Sequence, residues 1–419
     1  MITIDGLIER IRPHTRAVPR AVLLILAVPL LPACTPICET VNNWTWGTCY
    51  PDIHGTDALA VHSELDSPPA AAHADAVESA RILVKRFVRE QNLPGLSVAV
   101  GTGGAIAWAE GFGWADINTA RPVTPRTRFR IGGVAIPMTA AAVGLLLERG
   151  ALDIDRPARS YVPAFPEKAW PVSTRQLMAH VAGIRHRDDE AMLYERTACT
   201  SPLGALELYG DDRLRFEPGT SFRYSSYGWT LVGAVVEATA GEPFLELMQR
   251  EVFDALAMND TRVDDPARPA PDTTTFYWPF AATDTTTGIE FANNPNDTCM
   301  QGAGGLLSTP SDLVRFGMAM NEGQLLEPAT LELLRTPALL ASGEPTGHGL
   351  GWSVQELTPG PASDPVAAFG HDAVAAGGTT TLLTIPAHDL AIALTANVSY
   401  VRGLPELAAQ IAGLFNASR

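Results

Sequence analysis

From residue 77 to residue 91, apolar side chains recur at spacings of three and four. Ala80, Leu83, Val84 and Phe87 fall on one face, which predicts an amphipathic helix. Three short apolar runs follow, at 96–100, 105–109 and 112–115, and read as strands; the glycines at 101, 103 and 104 turn the first into the second. That glycine cluster marks a hairpin better than it marks a nucleotide loop. Residues 137–147 form a strong helix, with Pro137 in its first turn and Gly150 just past its end. The middle of the chain is mostly helical with long loops. Its helix at 230–240 stops at Gly241, and another at 311–320 starts after Pro310. Strand patterns return at 351–354, 379–385 and 390–396, and 404–414 reads as a closing helix with Pro405 in its first turn. Strands at both ends and helices between predict an α/β chain of the α+β type. One antiparallel sheet is built from both chain ends and flanked by helices, with a mostly helical subdomain inserted at about 150–310.

Upstream of residue 76 the periodicity is lost. Arg10, Arg12, Arg16 and Arg20 precede an apolar run at 21–31 that Pro29 interrupts. A bilayer span needs about twenty apolar residues, so this run suits the core of a signal peptide over 1–33. It ends in Leu31-Pro32-Ala33-Cys34, which resembles the lipobox of bacterial lipoproteins. Cys34 is therefore the expected lipidated residue. The expected location is the periplasm or cell surface, membrane-anchored, with plain secretion as the alternative. Residues 34–75, rich in Pro, Ala, Ser, Asp and His, read as a tether ahead of a domain at 76–417. With Cys34 lipidated, Cys38, Cys49, Cys199 and Cys299 remain, an even number for an oxidising compartment. Of the three connectivities, spacing favours Cys38–Cys49, closing a loop around Trp44 and Trp46, with Cys199–Cys299 as the long bridge. Free buried thiols are the plain alternative.

Composition narrows the chemistry. Asp and Glu number 46 against 30 Lys and Arg, a net charge of −16 that leaves no basic footprint for nucleic acid. The only lysines are Lys85 and Lys168, and neither follows a glycine, which excludes a GxxxxGK phosphate loop. Ile82 and Phe165 stand three residues before them, which excludes a Ser-x-x-Lys pair. There is no Gly-x-Ser-x-Gly elbow, HExxH or CxxC. His180 and His186 lie near Asp188, Asp189 and Glu190, and this reads as solvated loop charge rather than a metal site. No cofactor is expected.

Six ordered segments carry a resemblance. Residues 128–140 contain Arg130-Ile131-Gly132-Gly133-Val134-Ala135-Ile136. Residues 176–184 contain His180-Val181-Ala182-Gly183. Pro218-Gly219 leads to Phe222-Arg223-Tyr224-Ser225-Ser226, and Gly304-Gly305-Leu306-Leu307-Ser308-Thr309 precedes Asp312-Leu313. Gly349-Leu350-Gly351-Trp352 and Gly370-His371 complete the set. Together they resemble the serine β-lactamase and penicillin-binding-protein superfamily over residues 77–415, nearest its class C, esterase and D-aminopeptidase-like branch. The resemblance implies the sheet-plus-helical-insert fold. It also implies a serine at a helix start, a lysine one turn later, a tyrosine relaying protons, and a Lys-Thr-Gly or His-x-Gly strand on the opposite wall.

The pattern breaks at its chemical centre. Gly133 stands at the serine's place and Ile136 at the lysine's. Val181 and Ala182 replace a threonine and a serine, Ser226 replaces an asparagine, and the strand reads His371-Asp372-Ala373. Losing the nucleophile of a covalent hydrolase costs about a millionfold in rate, so ordinary covalent turnover through these positions is not expected. The leading reading is an exported pseudoenzyme that binds a peptide, ester or cell-wall-derived ligand in the remnant cleft. That cleft is expected to be bounded by Gly133, Tyr224 and His371, with Ile136 filling the lysine's volume and Val181 and Ala182 adding to its apolar wall. A second reading is an active serine hydrolase using a displaced hydroxyl, Ser225 or Ser226. A third is an interaction protein that never uses the cleft.

Overall fold

The structure is a computed structural model that describes residues 52–188, 195–281, 284–292, 294–359 and 364–417. The expected signal peptide, Cys34, Cys38 and Cys49 lie outside the described residues, as do Asp189 and Glu190. Strand β1 (Ser63–Leu65) precedes helix α1 (Ala74–Glu90) and a hairpin of β2 (Gly95–Thr102) and β3 (Ala105–Asp116). Helix α2 (Ala135–Glu148) opens the helical region, which continues through α3 (Thr174–Met178) and α4 (Ser226–Ala240). Helices α5 (Pro310–Glu322) and α6 (Pro328–Arg335) lead back to β4 (Ser353–Leu357), β5 (Val366–Ala375), β6 (Gly378–Ile385) and β7 (Leu390–Ala396). Helix α7 (Leu404–Ala417) follows.

The main sheet runs β1-β3-β2-β7-β6-β5-β4, with Arg121–Pro122 pairing β3 off that path. Every pairing in it is antiparallel. The two chain ends join at β2 and β7, from Leu96 opposite Ala396 to Gly101 opposite Ala391. All eight residues of β2 are buried because both faces are covered. Leu96, Val98 and Val100 share a core with Val77, Val84 and Val88 of α1 and with Leu407, Ile411 and Phe415 of α7. Ala99 faces the other core, which α2 and α4 dominate. Each such large apolar side chain contributes about 1.5–3 kcal/mol on burial. Helices α2 and α4 are apolar nearly all round, as helices inside a core must be.

Three sequence expectations change. Residues 105–109 and 112–115 form one strand rather than two. The break between them is Glu110-Gly111, but Glu110 is buried and takes hydrogen bonds from Arg81 Nε at 2.9 Å and Trp108 Nε1 at 2.8 Å. Gly111 lets β3 pass the Val123 carbonyl, which a Cβ would strike. The proposed tether also shortens, because its described part is strapped to the domain. Ser63–Leu65 pairs with β3, Val61 is buried, His54 Nε2 hydrogen-bonds the Leu93 carbonyl at 2.6 Å, and His62 stacks on Trp114 at 5.2 Å. Backbone pairing and two imidazoles hold this segment, and neither shows as apolar periodicity. Finally, β5 escaped the apolar pattern, since Gly370-His371-Asp372-Ala373 does not alternate. Strand β4 pairs only with Val366–Gly370, so the 371–375 half of β5 continues past it.

Candidate active-site cleft

The chain enters α2 through a single tight turn, Gly132–Val134, with Gly132 at φ +50°, where glycine is favoured. A Cβ on Gly133 would lie 2.5 Å from Tyr224 Oη and 3.0 Å from His371 Cε1. The phenol oxygen therefore occupies the space where a side chain at this position would begin. One turn later, Ile136 is fully buried among core hydrocarbon. Neither position presents a nucleophile or a base.

Tyr224 lies just before α4, and its ring stacks on His180 at 4.4 Å between centroids. His180 is buried, with φ +60°, and its Nδ1 accepts the Ser225 N–H at 3.1 Å. The expectation of a solvated loop fails here: this imidazole is a buttress for the tyrosine. Burial pushes its pKa far down, and nearby His371, His348 and His186 push the same way. His371, in β5 opposite Leu382, donates from Nδ1 to the Asp372 carbonyl at 3.0 Å. Burial lowers its pKa to about 4. Burial raises the Tyr224 phenol above its usual range, so it stays protonated. Its hydroxyl has no hydrogen-bond acceptor among the described residues.

In front of these groups is a cavity of about 260 Å³ whose lining includes Gly133, Tyr224, His186, Ser226, Met300 and Ala373. Gly133 and Tyr224 take the expected places on its wall. His371 stands behind Gly133 instead, and its strand contributes Asp372–Ala375 to the wall. Val181 and Ala182 are not on the wall either. They are buried in the main core, because the left-handed turn at His180 carries the chain inward. The apolar surface comes from Met300, Ala303 and residues 373–375.

The two serines after Tyr224 have different duties. Ser225 caps α4: its Oγ accepts the Gly228 N–H at 2.9 Å and donates to the Arg185 carbonyl at 2.9 Å. Ser226 is the first residue of α4, and its Oγ lies 2.9 Å from His186 Nδ1 on the cavity wall. Beside it, Arg187 forms a buried ion pair with Asp297 at 2.7 Å. The turn Asp297–Met300 that carries Asp297 and Met300 is joined to Cys199 through Cys299, with Cα atoms 4.7 Å apart. Sequence reasoning missed the partnership of Ser226 with His186 and that of Arg187 with Asp297. The partners are 40 and 110 residues apart, and no local pattern records such contacts.

An antiparallel sheet from both chain ends, a helical insert and a cleft where a helix start meets a tyrosine and a sheet strand define the serine-hydrolase type built on the transpeptidase-like fold. The chain belongs to the beta-lactamase family, whose model matches residues 80–414. The mouse serine beta-lactamase-like protein LACTB, mitochondrial, is 28% identical, over 80% of this chain and 79% of its own. Penicillin-binding protein 4* of Bacillus subtilis is 24% identical, over 62% of this chain and 59% of its own. Among solved structures, D-amino acid amidase from Ochrobactrum anthropi superposes with a TM-score of 0.70 at 22% identity. It covers 82% of this chain and 99% of its own, and shows the shared fold.

Proposed function

We propose that this member of the beta-lactamase family binds a small peptide, ester or cell-wall-derived ligand in the remnant cleft, without the family's serine–lysine acyl transfer. The observation that carries the reading is the geometry at the helix start. Tyr224 Oη sits 2.5 Å from the place of a Cβ at Gly133, and Ile136 is buried where a base would be needed. A concave pocket with a few polar groups at its edge is the form small-molecule sites take. The test is intact mass after incubation with excess benzylpenicillin, alongside hydrolysis assays with D-amino acid amides. Unchanged mass and no turnover are expected, with a raised melting temperature in the presence of cell-wall-type peptides. A penicilloyl adduct or amide turnover would sink the reading. If no such ligand shifts the melting temperature, the binding reading fails as well.

We also propose that the protein is exported and anchored through lipid on Cys34. The charged stretch, the short apolar run and the Leu31-Pro32-Ala33-Cys34 end support this, and the Cys199–Cys299 disulfide fits an oxidising compartment. Detergent-phase partitioning that is lost in Cys34→Ala is the expected result. Aqueous partitioning of both forms would end the lipoprotein proposal.

A further inference from the structure

We propose that Ser226 and His186 form a hydroxyl–imidazole pair in the same cavity that takes an acyl group from short, neutral carboxylic esters, an activity separate from the binding proposed above. The hydrogen bonds fix the polarity of the pair. The Ser226 N–H donates to His186 Nδ1 at 3.2 Å, so that nitrogen carries its lone pair toward the serine. The hydroxyl proton of Ser226 therefore points at Nδ1, 2.9 Å from Oγ. Oγ in turn accepts the Arg187 N–H at 3.2 Å. An oxygen that donates to a base while receiving a backbone N–H is arranged to lose its proton and hold the resulting charge. Its seat as the first residue of the fifteen-residue helix α4 adds the positive end of the helix dipole. Ser225 is not equivalent, since both roles of its hydroxyl are taken by the Gly228 N–H and the Arg185 carbonyl.

The cavity names the substrate class. Its volume, about 260 Å³, falls below the roughly 300–1,000 Å³ of drug-sized sites, so the acyl group is short. The apolar part of its wall comes from glycine backbone, Met300, Ala303 and Ala373–Ala375, and the carboxyls on the wall belong to Asp297 and Asp372. The wall arginine, Arg187, is already paired with Asp297 at 2.7 Å, which favours a neutral ester over a carboxylate. Tyr224 lines the same cavity, and its hydroxyl, kept protonated by burial, is the donor proposed for the ester carbonyl oxygen. In the first step Oγ of Ser226 bonds to the carbonyl carbon and its proton passes to Nδ1 of His186. The bond from that carbon to the leaving oxygen then breaks, and the leaving alcohol takes the proton from the imidazole. Water attacks the acyl-serine with His186 again accepting a proton, which returns to Oγ as the carboxylic acid departs. Each proton and electron pair is accounted for within ester, water and the pair itself.

The test uses the whole chain with a small alkyl fluorophosphonate and with p-nitrophenyl acetate. Labelling is expected to map by peptide mass to Ser226 in the unmutated protein. Ser226→Ala should abolish both label and acetate release, and His186→Gln should slow labelling by about a hundredfold or more, the usual contribution of a positioned base. Circular dichroism of each variant separates lost chemistry from lost fold. No label, a label on another serine, or unslowed labelling in folded His186→Gln would overturn the proposal. A fluorophosphonate failure leaves the ligand-binding reading standing, whereas a penicilloyl adduct defeats that reading whatever happens at Ser226.

Discussion

The decisive atoms at the residue scale are the missing Cβ of Gly133 and the hydrocarbon of Ile136. Tyr224 has room for its hydroxyl only because residue 133 has no side chain. Gly133→Ala should therefore lower stability by about 1–3 kcal/mol, the usual penalty for overpacking. Urea melts would show it, and adding Tyr224→Phe should recover part of the loss by removing the obstructing oxygen. Ile136→Lys places an ammonium in fully buried hydrocarbon, at a cost of several kcal/mol unless it is neutralised. The double variant Gly133→Ser with Ile136→Lys restores the family's pair in name only. It should melt lower and acylate weakly at most, since Val181 and Ala182 provide no supporting hydroxyls and Tyr224 crowds the new serine. Robust acylation with an unchanged melting temperature would show instead that the surrounding groups had stayed poised.

Among the elements, the cleft depends on three that meet without being neighbours in sequence: the turn into α2, the start of α4 and the second half of β5. A fourth, the turn Asp297–Met300, is held by the Cys199–Cys299 bridge, which spans 100 residues. In the chain-entropy description a loop of that length is worth about 4–5 kcal/mol of stability. Cys199→Ala with Cys299→Ala should lower the melting temperature accordingly, and dithiothreitol should do the same to the unmutated protein. Because that turn carries Asp297 and Met300, which line the cavity, the binding proposed for the cleft should weaken along with stability. Melting curves insensitive to reductant would show that the bridge contributes nothing.

For the whole molecule, the same fold that buries Tyr224 gathers His180, His348 and His371 behind it, and burial lowers the pKa of all three. Held neutral, each binds fewer protons than it would in the unfolded chain, where imidazole titrates near 6.5. Stability from this source is complete above about pH 6.5 and is lost as pH falls toward 4. Buried carboxyls such as Asp264 and Asp312, whose pKa burial raises, act in the opposite sense. A single variant therefore isolates the imidazole contribution. His371→Asn should lose less stability between pH 7.5 and pH 5 than the unmutated protein, measured by urea melts at both pH values. Equal losses would place the acid sensitivity elsewhere.

Much of this architecture was already legible in the order of the residues. Helices α1, α2, α4 and α7 announce themselves by periodicity, proline entry and glycine exit, because a helix buries a local stripe. The two-ended sheet follows from where the strand patterns lie, and the absence of a hydroxyl at position 133 and an amine at position 136 follows from Gly133 and Ile136 alone, since no fold can give glycine a side chain. Contacts across long separations were decided only in three dimensions. Pairing of β1 on β3, the passage of Val181 and Ala182 into the core, the buried imidazole of His180 and the meeting of Ser226 with His186 leave no periodic trace. Each depends on one backbone turn or one hydrogen bond between distant segments. Apolar patterns report which face of an element is buried; they are silent on which polar atoms that burial brings within 3 Å of each other.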